Sequence, residues 1–249
     1  MLPTWNELFA PRPLMERSVP LALPDCDSSV HFAFASADDL RSLVTETFLT
    51  EVETARAREF RFGPPRENFT LGRLAAKLAL AGANRMQCSA NEIAPTLRTI
   101  EIGNGARGEP LVRDAAGFHS GLSLSHVNGR GVAVAFPATE RIGLDLELID
   151  AQRAETVRQA VPLGPEEKAW LRQTTLPAAT ALLLLWTARE ALGKALGCGL
   201  ACKWETLALR EVATVEPAVF SGSFSHWPQF KCVGWIGPDA VATTAWETR

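Results

Sequence analysis

The sequence predicts an α+β protein of two lobes, each an antiparallel sheet packed with helices. Three observations carry that reading. Strand-like and helical runs occur in both halves of the chain. Hairpin patterns at 122–136 and near 231–246 pair strands with their immediate neighbours, which makes the pairing antiparallel. The 249 residues, 47% of them hydrophobic, are enough for one large domain or for two cores of roughly 100–150 residues.

Taken in order, residues 28–35 alternate apolar and polar and read as a strand, and 38–62 read as helix. Residues 67–83 form an amphipathic helix with Leu71, Leu74, Ala75, Leu78 and Ala81 on one stripe and Arg73 and Lys77 beside it. Strands follow at 97–102 and 121–126. Asn128-Gly129 stands between LSLSH and VAVAF, and a two-residue type I′ turn needs positive φ at both central positions, so a hairpin is expected there. Pro137-Ala138-Thr139-Glu140-Arg141 breaks the pattern, which sets lobes of 1–137 and 138–249. The second lobe opens with a strand at 142–149. A helix at Pro165–Gln173 follows, then a long helix over 178–196 that Gly197-Cys198-Gly199 ends, and strands at 205–212, 219–224, 231–236 and 240–246.

A formal net charge of −3 argues against a dedicated nucleic-acid or membrane-surface binder. The longest uncharged stretch, Gln173–Ala188, is too short to span a bilayer. The opening residues show no basic-then-apolar signal pattern, so a cytoplasmic location is expected. Cys26, Cys88, Cys198, Cys202 and Cys232 are irregularly spaced, as are His31, His119, His126 and His226. The cysteines are expected to be free thiols in a reducing compartment.

Chemistry concentrates in three places. In IGLDLELI, residues 142–149, a strand puts Asp145 and Glu147 on one face with leucines behind them. The pair suits a hard cation shared with substrate phosphate oxygens, or a solvated strand face. In WTAREALGKALG, residues 186–197, Trp186, Thr187, Glu190 and Lys194 share a helix face. Glu190–Lys194 is either a surface ion pair or an acid and a base set near the strand carboxylates. Between Arg56 and Arg85, seven basic residues (56, 58, 61, 66, 73, 77 and 85) face two acids, a phosphate-facing surface or a solvated helix face.

Together these elements resemble the 4′-phosphopantetheinyl transferase superfamily, whose pattern is G-[IVL]-D-x-E on a strand and W-[ST]-x-[KR]-E-[AS]-x-x-K on a helix. Here Gly143-Leu144-Asp145-Leu146-Glu147 precedes Trp186-Thr187-Ala188-Arg189-Glu190-Ala191-Leu192-Gly193-Lys194. Upstream, Ser125-His126, Arg107-Gly108-Glu109-Pro110 and the stretch Asn68 to Arg73 resemble further elements of the family. The length is similar to the long, surfactin-type branch, which implies a monomer of two similar lobes, a pseudo-dimer, with the active site in the cleft between them.

The resemblance implies transfer of 4′-phosphopantetheine from coenzyme A to a serine of an apo acyl or peptidyl carrier protein, with release of 3′,5′-ADP. It implies Mg²⁺, or Mn²⁺ in its place, on Asp145, Glu147 and Glu190, with Glu190 as base and Lys194 neutralising the leaving diphosphate. Arg66, Arg73, Arg107, Ser125, His126, Asp145 and Lys194 are the implied coenzyme A contacts, and segment 150–175 the implied carrier-docking region. Two departures are visible: Glu109 stands where many relatives carry Lys or Arg, and Val127 where Ser, Thr or Cys is common. Arg61 is an alternative to Arg66. The competing readings are another Mg²⁺-dependent enzyme that cleaves phosphodiesters, and a non-catalytic module that binds coenzyme A or a carrier.

Overall fold

A computed structural model describes residues 2–43, 47–60, 63–114, 120–216 and 218–249. Arg61 and His119 fall outside these. The chain divides into two compact units, and the change from one to the other falls between Glu140 and Arg141. Two short N-terminal segments, Thr4–Glu7 and Pro24–Cys26, belong with the second unit.

The first unit takes its helices and strands in the order α1 (Trp5–Phe9, shared with the second unit), β1 (Ser18–Pro20), β2 (His31–Ser36), α2 (Ala37–Ser42), α3 (Glu51–Glu59), α4 (Pro64–Ala83), α5 (Ile93–Arg98), β3 (Ile100–Asn104), β4 (Pro110–Asp114), β5 (Ser120–Val127) and β6 (Arg130–Pro137). A four-stranded sheet runs β1-β2-β6-β5, and β3 pairs with β4 apart from it. Asn128 (φ 34°) and Gly129 (φ 77°) both take the positive φ that the β5–β6 turn requires. The expected helix over 38–62 is two helices, α2 and α3. Each starts at its own capping box, on Ser36 with Asp39 and on Thr50 with Glu53. The strand expected from 97 starts only at Ile100, because Leu97 and Arg98 end α5.

Helix α4 departs most from expectation. Pro64 and Pro65 open it, as the first helical turn permits, and every residue from Phe69 to Ala81 is buried, so it has no solvated face. Arg73 and Lys77 are therefore inside. Lys77 Nζ meets Glu53 Oε2 at 2.6 Å and donates to the Phe48 carbonyl at 2.9 Å. Glu53 also accepts from the backbone N–H of Ile102. A buried charge is tolerable only when paired and bonded in this way. Close packing of α4 on β6 is possible because Gly131 has no side chain: a Cβ there would lie 2.4 Å from the Leu71 carbonyl oxygen.

The second unit contains β7 (Ile142–Leu148), α6 (Ala151–Ala160), α7 (Pro165–Gln173), α8 (Ala178–Ala195), β8 (Leu209–Glu216), β9 (Val219–Phe224), β10 (Phe230–Ile236) and β11 (Ala240–Glu247). Its five-stranded antiparallel sheet runs β7-β11-β10-β9-β8, so the first strand pairs with the last. The strand expected at 205–212 begins four residues late, after a 3₁₀ turn at Trp204–Leu207. Trp5 packs at Gly237, and the Pro24 carbonyl accepts from Trp246 Nε1 at 2.9 Å, which ties the N-terminal segments to this unit.

The core of the second unit gathers on α8, from Ala181 to Ala195, against Phe220, Phe224, Phe230, Val241 and Ala245. Arg189 of α8 is fully buried, its guanidinium bonded to both oxygens of the equally buried Glu167 on α7 and to the carbonyls of Trp204 and Pro162. One correction concerns the cysteines. Cys198 and Cys202, expected as free thiols, are joined by a disulfide that closes the turn after α8, while Cys26, Cys88 and Cys232 are free. The turn brings them together because Gly197 and Gly199 both take positive φ and fold the chain back. No helix of the described residues is long and apolar enough to cross a membrane.

Candidate active site

The site begins with a glycine. A Cβ on Gly143 would sit 1.9 Å from the Ala191 carbonyl oxygen and 2.7 Å from the Ala195 nitrogen. Its absence lets the backbone of β7 lie directly on that of α8. Alternation then puts Asp145 and Glu147 on the same side of β7 as Gly143, facing the helix. Between Thr180 and Ala195 every residue of α8 is buried except Glu190 and Lys194. Two half-exposed, ionisable positions on an otherwise buried helix therefore meet a carboxylate strand.

Asp145 is only 3% exposed. Its Oδ1 accepts from Lys194 Nζ at 2.8 Å, and Lys194 also donates to the Leu144 carbonyl at 2.9 Å. Thr243, directly opposite Asp145 on β11, shares a hydrogen bond of 2.7 Å with Thr187, which fixes the sheet to the helix beside the site. Burial, followed by the negative charge of Asp145, pushes the Glu190 carboxyl up to about 7; Glu147 adds to the rise, and Lys194 and Arg153 oppose it.

Glu147 is held differently. Its Oε1 accepts from Trp186 Nε1 at 2.8 Å and from Arg153 Nε at 3.1 Å, and a second Arg153 nitrogen bonds to it as well. Arg153 lies over the Trp186 ring, 5.0 Å from its centroid, in a cation–π contact. Its backbone N–H donates to the α6 cap residue Asp150 at 2.7 Å. Sequence reasoning missed Arg153. Asp150, a helix-cap residue three positions earlier, was the signal: it places Arg153 in a first helical turn just past the carboxylate strand.

The remaining candidates lie in the first unit. His126 is exposed at the end of β5, and Gly72 of α4 makes room for it, since a Cβ there would come within 3.0 Å of the imidazole. Ser125 precedes it, half-buried, and Arg66 is half-buried near the start of α4. Arg107 is exposed in the β3–β4 turn. Glu109 accepts the Arg107 backbone N–H at 2.9 Å and so serves the turn itself. Arg73 is 6% exposed, donates to Asn104 Oδ1 at 2.8 Å and lies over the Phe69 ring at 4.7 Å. The structure thus groups Asp145, Glu147, Glu190, Lys194 and Arg153 in one unit, and Ser125, His126, Arg66, Arg73 and Arg107 occur in the other.

Carboxylate oxygens are the donors that a hard divalent cation prefers. Burial raises Glu190 most and the charge of Asp145 adds to it; a cation beside the two carboxylates would favour their charged forms, so the donor chemistry fits Mg²⁺. As the side chains stand, among the described residues no three His, Cys, Asp or Glu are grouped to hold a metal ion. A groove of about 410 Å³ in the second unit is lined by residues such as Leu163, Glu166, Glu205 and His226 and by none of the site carboxylates.

Residues 141–243 match the family model described as the 4′-phosphopantetheinyl transferase superfamily. The chain is also similar to a crystal structure of a holo-(acyl-carrier-protein) synthase from Bacillus anthracis in complex with CoA (3′,5′-ADP). That likeness has 25% sequence identity and a TM-score of 0.37, and covers 43% of this chain and 92% of that one. None of the curated proteins matches. The resemblance read from Gly143–Glu147 and Trp186–Lys194 is therefore found again by a comparison that spans nearly all of the second unit's sheet and helices.

Proposed function

We propose that this protein is a phosphopantetheinyl transferase of the long, two-lobed branch, which moves 4′-phosphopantetheine from coenzyme A to a serine of an apo acyl or peptidyl carrier protein. The observation that carries the reading is the pair of ionisable breaks in a buried helix, Glu190 and Lys194, set against Asp145 on the strand that Gly143 lays against it. It is supported by the family match over the same residues.

Asp145, Glu147 and Glu190 would hold Mg²⁺, or Mn²⁺ in its place. When bound, the ion neutralises charge on the diphosphate of coenzyme A. Serine is a weak nucleophile at neutral pH and needs a positioned base. Glu190 is the proposed base because it is one of the two positions of α8 between Thr180 and Ala195 that are not buried, and it lies close enough to Asp145 to feel its charge. The serine oxygen bonds to the phosphorus that carries pantetheine, and its proton passes to Glu190. The bond from that phosphorus to the bridging oxygen breaks, and 3′,5′-ADP leaves. Lys194 stabilises the negative charge that collects on the departing phosphate, a term that usually dominates phosphoryl transfer. Ser125 and His126 are the proposed contacts to the coenzyme A phosphates, Arg66 and Arg107 to its nucleotide end, and residues 150–175 the proposed carrier-docking segment. Arg73, which the resemblance implied for the nucleotide end, is buried against Asn104 and Glu53 and is not kept in that role. The enzyme would act in the cytoplasm as a monomer.

Intact-protein mass spectrometry of apo carrier domains with the enzyme, coenzyme A and Mg²⁺, against an EDTA control, tests the reading. A metal-dependent gain of one phosphopantetheine is expected, and Glu190→Gln should lower the rate at least about 100-fold, as loss of a general base does. Turnover by Glu190→Gln near that of the native chain would overturn the assigned roles. Coenzyme A binding without transfer would point to a binding module instead.

A further inference from the structure

Glu147 already has a cation. Two guanidinium nitrogens of Arg153 and the indole of Trp186 converge on its carboxylate, and the 3.1 Å and 2.8 Å contacts fall on the same oxygen. The arginine is not a stray surface group. Asp150 caps the turn that carries it, and the Trp186 ring supports its flat face. The carboxylate is the better buried partner, with its side chain 14% exposed against 40% for the arginine.

We propose that Arg153 is a positioning residue that occupies Glu147 as an internal cation and competes with a divalent metal ion for it. The proposal rests on the metal-dependent reading given above. All three contacts fall on Oε1, so a metal ion on Glu147 either displaces the guanidinium from that oxygen or takes the other one with the arginine's positive charge beside it. Metal binding through Glu147 is therefore opposed while Arg153 stays in place, and the observed affinity is reduced by the fraction of molecules in which it has not turned away. Arg153 is half-exposed on the first turn of α6, so release needs only side-chain rotation. The guanidinium that Glu147 gives up is then free to meet an anion.

The test is Mn²⁺ binding to the full chain without coenzyme A, read from the electron paramagnetic resonance signal of free Mn²⁺. Arg153→Ala is expected to bind Mn²⁺ about tenfold more tightly than the native chain, equivalent to about 1.4 kcal/mol. Arg153→Lys, which keeps the charge but loses the planar fork, should fall between the two. In a Glu147→Gln background the substitution of Arg153 should change the affinity by less than about twofold, because the contested carboxylate is gone. A structural role alone would not tighten metal binding. Unchanged or weaker binding by Arg153→Ala, with the native chain binding Mn²⁺, overturns this proposal and leaves the transferase reading standing. A tenfold gain that persists in the Glu147→Gln background also overturns it, since the effect would then be general electrostatics. No Mn²⁺ binding by the native chain or any variant removes the metal-dependent reading and this proposal together.

Discussion

Replacing Glu190 by glutamine should stabilise the metal-free protein, and most at neutral to alkaline pH. The folded chain holds the Glu190 proton up to about 7, whereas an unperturbed glutamate releases it near 4.5. Between those values the folded state binds more protons than the unfolded state, so stability falls as pH rises through the window, and the penalty is complete above about 7. A difference from 4.5 to about 7, at about 1.4 kcal/mol for each pKa unit, makes it about 3 kcal/mol. Glutamine keeps the shape and removes the charge. Differential scanning fluorimetry in EDTA at pH 5 and pH 8 is the assay. At pH 5, just inside the window, the variant should melt only about 2 °C higher, since less than about 1 kcal/mol of the penalty has developed. At pH 8 the variant should melt higher by on the order of 5–10 °C, given about 2–4 °C per kcal/mol for a chain of this size. A variant that is no more stable than the native chain at pH 8, or that gains equally at both pH values, would refute the electrostatic picture of Asp145 and Glu190.

Glu167→Ala should destabilise the second unit by about 3–5 kcal/mol in urea denaturation, because it leaves Arg189 buried without its carboxylate. Iodoacetamide applied without reductant should label Cys26 and Cys88 in the folded protein. Cys232 should react only after denaturation, since full burial pushes its thiol pKa up, and Cys198 and Cys202 only after reduction. Five labels on the denatured, unreduced chain would show that the pair is not a disulfide.

Features that depend on a few neighbouring residues were legible in the sequence. The β5–β6 hairpin follows from Asn128-Gly129 alone, and α7 runs from Pro165 to Gln173 as its opening proline predicts. Gly143, Asp145 and Glu147 needed only strand alternation, and Glu190 and Lys194 only helical spacing. What escaped depends on partners remote in sequence. Arg73 and Lys77 look like a solvated stripe until Glu53 arrives from α3 to neutralise them inside the core. Lys194, spaced to pair with Glu190 along the helix, bonds to Asp145, forty-nine residues away on a strand. Arg189 gave no hint of burial because its carboxylate sits twenty-two residues earlier on α7. The disulfide turns on the positive φ of Gly197 and Gly199, a chain reversal that cysteine spacing does not encode.

The contact at Gly143 has a bearing on how freely this protein can change. The strand and helix that carry the site touch through main-chain atoms, at a separation that van der Waals radii set and no side chain tunes. The spacing of Asp145 from the Glu190 and Lys194 positions of α8 is thus insulated from the apolar side chains packed on the helix's other sides. Leucines and phenylalanines there can change in size and shape while the ruler under the carboxylates keeps its length. Diversification of the core and fidelity of the site are separable tasks in this unit, and a library built on that division would hold residue 143 and the site side chains fixed and vary the leucines and phenylalanines packed on α8.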